Sequence, residues 1–193
     1  KTMANVTIFG KGNMGTAIAS VFERAGNTVN FSTTEEPATS FGDIIVLAVP
    51  YPALEGIAAA NQENFAGKIV IDITNPVNFQ TFDELIVPAD SSAAAQLQAA
   101  MPGAKVVKGF NTTFGATLTS GKVAGSQPTT VLLASDHADA KEAIMEALKG
   151  GDVQAIDAGS LKRARELEAM GFLQISLAAQ EKIAWTGGFG IFK

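Results

Sequence analysis

A chain of 193 residues is long enough to bury one well-packed core, and a second full domain would be cramped. With 47% hydrophobic and 17% charged residues it suits a compact folded protein, and its longest strongly apolar run, Ile44–Pro50, falls far short of the roughly 20 residues that span a bilayer. A net charge of −5 offers nucleic-acid phosphates no general attraction, and the lack of any cysteine excludes disulfides, thiolate zinc sites and thiol catalysis.

Lys1-Thr2-Met3-Ala4-Asn5 leads directly into a strand pattern with no apolar signal segment, so the expectation is a cytoplasmic protein acting on a small molecule. The first strand is read at Val6–Phe9, followed by Gly10-Lys11-Gly12-Asn13-Met14-Gly15 and a helix over Met14–Ala25. That helix places Met14, Ile18, Val21 and Phe22 on one face, and Gly26-Asn27 stops it. A second strand fits Thr28–Phe31. Only the 12 residues Ser32–Asp43, including Pro37, then lead to the third strand, Ile44–Val49. A parallel crossover needs about a dozen residues even when minimal, so the helix there is expected to be vestigial and this end of the site open. Helix Ala53–Asn61, strand Lys68–Ile73, helix Ser91–Ala100, strands Val106–Phe110 and Thr130–Ala134, helix Ala138–Lys149 capped by Asp136, and strand Val153–Ile156 follow. A long helical pattern runs from Ser160 to Ile183.

Strands alternating with helices, several of them continuous apolar runs, specify an α/β fold with a mostly parallel, doubly wound sheet covered on both faces. With no repeat or linker, residues 3–193 read as one domain, with residues 160–193 as a C-terminal helix and tail packed on it.

The G-x-G-x-x-G loop between a strand and an amphipathic helix is the Rossmann arrangement for a dinucleotide. Gly10 permits the tight turn, Gly12 lets backbone approach the pyrophosphate, and Gly15 allows helix and strand to pack closely. Asn13 and Met14 open the helix, whose N-terminus offers unpaired N–H groups and a positive dipole. NAD-selective domains usually hold the ribose with an acid at the end of the second strand. Here Asn30-Phe31-Ser32-Thr33-Thr34 stands there, and no carboxylate precedes Glu35. Hydroxyls of Ser32 and Thr33 can donate to a 2′-phosphate, and Lys11 can supply charge. NADP is therefore the expected cofactor.

Val49-Pro50-Tyr51-Pro52 and Thr74-Asn75-Pro76-Val77-Asn78 end two strands at the sheet edge where such folds bind ligands. The amides of the second segment suit the nicotinamide carboxamide. Tyr51, the only tyrosine, is read as packing in preference to proton donation, and Asp72 as a paired structural carboxylate. His137, the sole histidine, is read as a surface residue, and without a histidine or cysteine cluster no metal site is expected. Gly115–Lys122 is no phosphate-binding loop of the Walker type, because five residues separate Gly115 from Gly121 and Val123 stands where Ser or Thr must reach magnesium. Gly187-Gly188-Phe189-Gly190 reads as a tight turn folding back on the sheet edge or entering the substrate pocket.

Several segments together resemble the NADP oxidoreductases dependent on coenzyme F-420, a 5-deazaflavin hydride carrier. They are Gly12–Gly15, Asp43–Tyr51, Val70–Pro76, Val106–Thr112 and Asp157–Leu161, in that order. The resemblance implies a Rossmann domain with a small helical addition, a homodimer, and hydride exchange between NADP and a flavin-like, deazaflavin or other small acceptor. It further implies that Ser32 and Thr33 lie near the 2′-phosphate, that Ala48, Val49 and Pro50 line the dinucleotide, and that Thr74, Asn75 and Asn111 lie towards the nicotinamide. Two departures stand out: the region after Ser32 is shortened, and Thr33 replaces the family arginine, which weakens 2′-phosphate selectivity. No acid–base residue is singled out as catalytic, because hydride chemistry belongs to the cofactor. A pyrroline-carboxylate or hydroxyacid reductase would need a larger helical domain than Ser160–Lys193 provides. A non-catalytic NADP-sensing module is the alternative from another class.

Overall fold

The computed structural model describes residues 2–193, and Lys1 lies outside the described residues. Its strands are β1 (Asn5–Phe9), β2 (Thr28–Ser32), β3 (Ile44–Leu47), β4 (Ile69–Asp72), β5 (Lys105–Lys108), β6 (Lys122–Val123), β7 (Gln127–Pro128), β8 (Thr130–Ala134) and β9 (Gln154–Gly159). The α-helices are α1 (Asn13–Arg24), α2 (Leu54–Ala60), α3 (Ala93–Ala100), α4 (Gly115–Ser120), α5 (Ala138–Leu148) and α6 (Ala164–Ala179). Turns of 3-10 type precede α2 and α6, at Tyr51–Ala53 and Leu161–Arg163.

Seven strands form one sheet in the order β2-β1-β3-β4-β5-β8-β9, and all neighbours are parallel except β5 and β8. Alternation along the strands builds two cores. Val6, Ile8, Val46, Ile71, Val107 and Leu133 face α1 and α5 with Ile18, Phe22 and Ile144. Ile45, Leu47, Val70 and Val106 face α2 and α3 with Leu54, Ala93 and Leu97. The central strands β3, β4 and β5 thus feed apolar side chains to both layers, which explains their unbroken apolar runs.

The crossing from β2 to β3 contains no helix at all. The Ser32 Oγ accepts the Ala38 N–H (3.0 Å) and the Thr33 Oγ1 accepts the Glu36 N–H (3.0 Å), so side-chain oxygens hold a turn where a helix would usually stand. Three details differ from the sequence reading. Residues 115–128, to which the sequence reading assigns no element, form α4 and the β6–β7 hairpin, with Gly121 in the left-handed region (φ +74°) ending α4. Asp136 does not cap α5: His137 is its N-cap, and Asp136 Oδ1 instead accepts the Leu161 N–H at 3.0 Å. The C-terminal helix stops at Ala179, after which the tail turns back towards the β6–β7 hairpin. Among the described residues, no helix is long and apolar enough to cross a membrane.

Candidate dinucleotide site

From β1 the chain moves outward to β2, then crosses to β3 on the other side, so the strand order reverses between β1 and β3. Crevices at such reversals are where open α/β sheets take ligands. The glycine loop occupies this one. Gly10 has φ +96°, and a Cβ there would come within 2.1 Å of the Ala48 carbonyl oxygen. A Cβ at Gly15 would lie 2.1 Å from the Gly10 oxygen. Both glycines are therefore demanded by the protein's own backbone. Gly12 is different: a Cβ there would meet nothing within 4 Å. Gly12 is also the N-cap of α1, with no side chain to cap the first turn and no acidic residue in it. Exposed, uncapped N–H groups beside open space form a cradle that fits a pyrophosphate.

Two cavities flank the loop, and Lys11 borders both. The first, about 700 Å³, is walled by Phe9, Gly10, Ser32, Thr33, Glu35 and Val49 among others. The Lys11 ammonium lies 5.1 Å from the centre of the Phe31 ring, a cation–π contact that holds its charge beside the Ser32–Thr33 turn. Glu35 brings a carboxylate to the same wall.

The second cavity, about 820 Å³, runs from Gly12, Asn13 and Met14 past Asn75 and Asn111 to Phe79, Phe110, Phe114 and Trp185. Asn75 and Asn111 are paired reciprocally. The Asn75 Nδ2 donates to the Asn111 backbone oxygen (2.9 Å), and the Asn111 Nδ2 donates to the Asn75 Oδ1 (3.0 Å) and to the Leu167 oxygen (2.9 Å). The Asn111 Oδ1 is buried and has no hydrogen-bond partner. An unsatisfied buried acceptor costs on the order of 1–3 kcal/mol, a cost the amide pair carries at the cavity wall. Just before it, Phe110 sits at φ +63° with its side chain fully buried, a conformation that bulky residues rarely adopt. That kink at the end of β5 aims Asn111 across the sheet edge. Of the residues lining this cavity, Lys11 alone carries a titratable group, a statement that covers the described residues.

Beneath the amides lies a charge network that the sequence reading found only in part. Lys108, at the end of β5, is wholly buried. Its Nζ reaches Asp72 Oδ2 at 3.2 Å, Glu168 Oε2 at 3.0 Å and the Thr74 oxygen at 2.5 Å. Asp72 Oδ1 accepts both the Thr74 N–H and its hydroxyl, each at 2.8 Å, so Asp72 is the paired structural carboxylate expected. Glu168 Oε1 accepts the Ala93 N–H at the start of α3 (2.8 Å). Burial pushes the Glu168 carboxyl above its ordinary range, against the pull of Lys108. A lysine inside the apolar run Val106-Val107-Lys108-Gly109-Phe110 was the available signal, because a buried cation must be paired.

Gly10, Lys11, Ser32, Thr33 and Val49 thus border the first cavity, and Lys11, Gly12, Asn13, Met14, Asn75 and Asn111 the second. Gly15 and Ala48 support the loop from behind, since Ala48 lies against both Gly10 and Gly15. Thr74 is turned into the charge network, and Pro50 is exposed just past β3; neither lines these two cavities. Tyr51 is drawn away to α3, where its hydroxyl donates to Gln96 Oε1 at 2.5 Å; burial is the main cause of its raised pKa.

The sequence profile of a family described as NADP oxidoreductase, coenzyme F420-dependent, matches residues 27–76. The F420-dependent NADP reductase of Methanothermobacter thermautotrophicus is 30% identical over 180 residues, spanning 89% of this chain and 76% of that protein. Its counterpart from Methanocaldococcus jannaschii is 29% identical over 154 residues, 78% of this chain and 68% of the other. In three dimensions the chain is similar to the crystal structure of a candidate F420-dependent NADP reductase from Arthrobacter sp. FB24. The TM-score is 0.83 at 25% identity, over 98% of this chain and 100% of that one.

Proposed function

The chain belongs to the coenzyme F420-dependent NADP oxidoreductase family, and on that premise we propose that it exchanges a hydride between NADP(H) and a flat, flavin-like or deazaflavin acceptor. It is an NADP-dependent oxidoreductase. When bound, NADP(H) would supply the chemistry, a hydride exchanged at nicotinamide C4 with the acceptor ring.

The chain's own residues bind, orient and exclude solvent. In this reading Gly10, Gly12, Asn13, Met14 and Gly15 hold the pyrophosphate. Lys11, Ser32 and Thr33 hold the 2′-phosphate, while Ala48, Val49 and Pro50 border the dinucleotide. The paired amides of Asn75 and Asn111 face the carboxamide, with Asn75 fixing Asn111 and Thr74 acting from behind through Asp72 and Lys108. The protein is read as a cytoplasmic homodimer.

The observation that carries this reading is the second cavity. It adjoins the uncapped helix end, is walled by aromatic rings, and offers no titratable side chain besides Lys11 among the described residues. A carbonyl or imine substrate would ask for a positioned proton donor, whereas a conjugated ring that takes a hydride does not. Stopped-flow mixing of the protein with NADPH and FMN or a 5-deazaflavin should show loss of nicotinamide absorbance that saturates with acceptor. No oxidation at any acceptor concentration would count decisively against it.

A further inference from the structure

Trp185 is the chain's one tryptophan, and it stands on the tail that follows α6. That tail is tied down around it. The Thr186 oxygen accepts the Ala124 N–H (2.8 Å), the Phe189 N–H donates to Gln174 Oε1 (2.7 Å), and the Ile191 oxygen accepts from Gln127 Nε2 (2.7 Å). Gly188 approaches Gln174 so closely that a Cβ there would lie 2.6 Å from Oε1. Gln174 in turn donates to the Thr112 oxygen beside the paired amides (3.0 Å). The segment is thus anchored to α6, to the β6–β7 hairpin and, through Gln174, to the end of β5.

On this anchored backbone the indole is left 51% exposed, packed edge-on against Phe114 with centroids 5.0 Å apart. Phe79, on the loop after β4, is 56% exposed and likewise held edge-on by Phe82, at 5.5 Å. Both rings open onto the same cavity. Exposed apolar area costs about 25 cal/mol per Å², so two large rings held out of the core by rigid supports await a partner. A flat conjugated ligand supplies one, because aromatic faces and edges stack favourably.

We propose that Trp185 is a specificity-determining residue of the acceptor site: its indole stacks on the conjugated rings of a flavin-class acceptor. The idea rests on the reading above, that the acceptor enters the aromatic cavity beside the nicotinamide end. Steady-state kinetics with FMN or 5-deazariboflavin test it. Losing one stacked ring weakens binding by about an order of magnitude, so Trp185→Ala should raise the acceptor KM about tenfold. Trp185→Phe should recover most of that loss, and the NADPH KM should change less than about twofold in both variants. An acceptor KM unchanged in Trp185→Ala, or an NADPH KM that rises in parallel, would overturn the proposal. If wild-type protein oxidises NADPH with neither acceptor, the reaction is lost but the stacking site is still decided. Equilibrium dialysis of FMN in the presence of NADP⁺ then gives about tenfold weaker binding to Trp185→Ala if the proposal holds, and equal binding if it fails.

Discussion

On the β2 side of the glycine loop the wall is a turn of hydroxyls and carboxylates, while on the β4–β5 side it is aromatic rings and paired amides. Ser32, Thr33 and Glu35 stand on a turn held by its own side chains, with no helix behind it. Asn75 and Asn111 are backed by α6, which carries Leu167 and Glu168, and by the wholly buried Lys108. The first wall can vary its charge at little structural cost, because Glu35 is exposed and Thr33 half-exposed, with only Ser32 buried. The second is tied to the core, so its amides are preorganised by groups that no ligand touches. Cofactor selection and ring placement are therefore built on supports of unequal stiffness.

The glycine loop between the two walls gives the largest expected effect. Gly10→Ala would drive a methyl into the Ala48 carbonyl at a positive φ. It should lower folding stability by about 3 kcal/mol or more, seen as a shifted urea midpoint, and abolish NADPH binding with it. Gly12→Ala meets nothing in the protein. It should keep the wild-type midpoint within about 1 kcal/mol yet weaken NADPH at least tenfold by calorimetry, separating a glycine kept for the fold from one kept for the ligand.

A smaller effect tests the soft wall. Lys11→Ala removes the one cation held beside the Ser32–Thr33 turn, and should weaken NADPH about tenfold and NADH about twofold or less, because only the former carries the extra phosphate. Equal losses in direct titrations would break the assignment of that turn to the 2′-phosphate.

The smallest effect concerns the stiff wall. Burial raises the folded-state pKa of Glu168 above the ordinary glutamate range. Between those two values the folded protein binds more protons than the unfolded chain. This contribution is therefore fully present below the ordinary value and is lost as pH rises through the raised one. Glu168→Gln lacks that titration. Urea midpoints across a pH series should show wild type losing stability relative to the variant as pH rises through that window, and a difference independent of pH would refute it.

Much of the first wall could be read from the chain alone. Gly10, Gly12 and Gly15 lie within six residues, and the shortness of Ser32–Asp43 is itself the reason no helix forms there. The second wall was legible only in pieces. Asn75 and Asn111 are 36 positions apart, and Glu168 lies 60 beyond Lys108, so their meeting depends on the sheet order and on α6. The reversed direction of β8 and the short elements between Gly115 and Pro128 left no periodicity long enough to register. Trp185 itself was not singled out, although the Gly187–Gly190 turn beside it was read as folding back, because its place at the cavity depends on where the tail docks.

The paired amides have one further consequence. Both N–H groups of the Asn111 side chain are already given to oxygens, Asn75 Oδ1 and the Leu167 carbonyl. Turning that amide over would set oxygen against oxygen twice, so the orientation of the Asn111 amide is fixed from within the protein. On the proposed assignment, a carboxamide seated beside the pair would meet the same donor and acceptor pattern in every molecule. That uniformity would be set by two hydrogen bonds that lie wholly inside the protein.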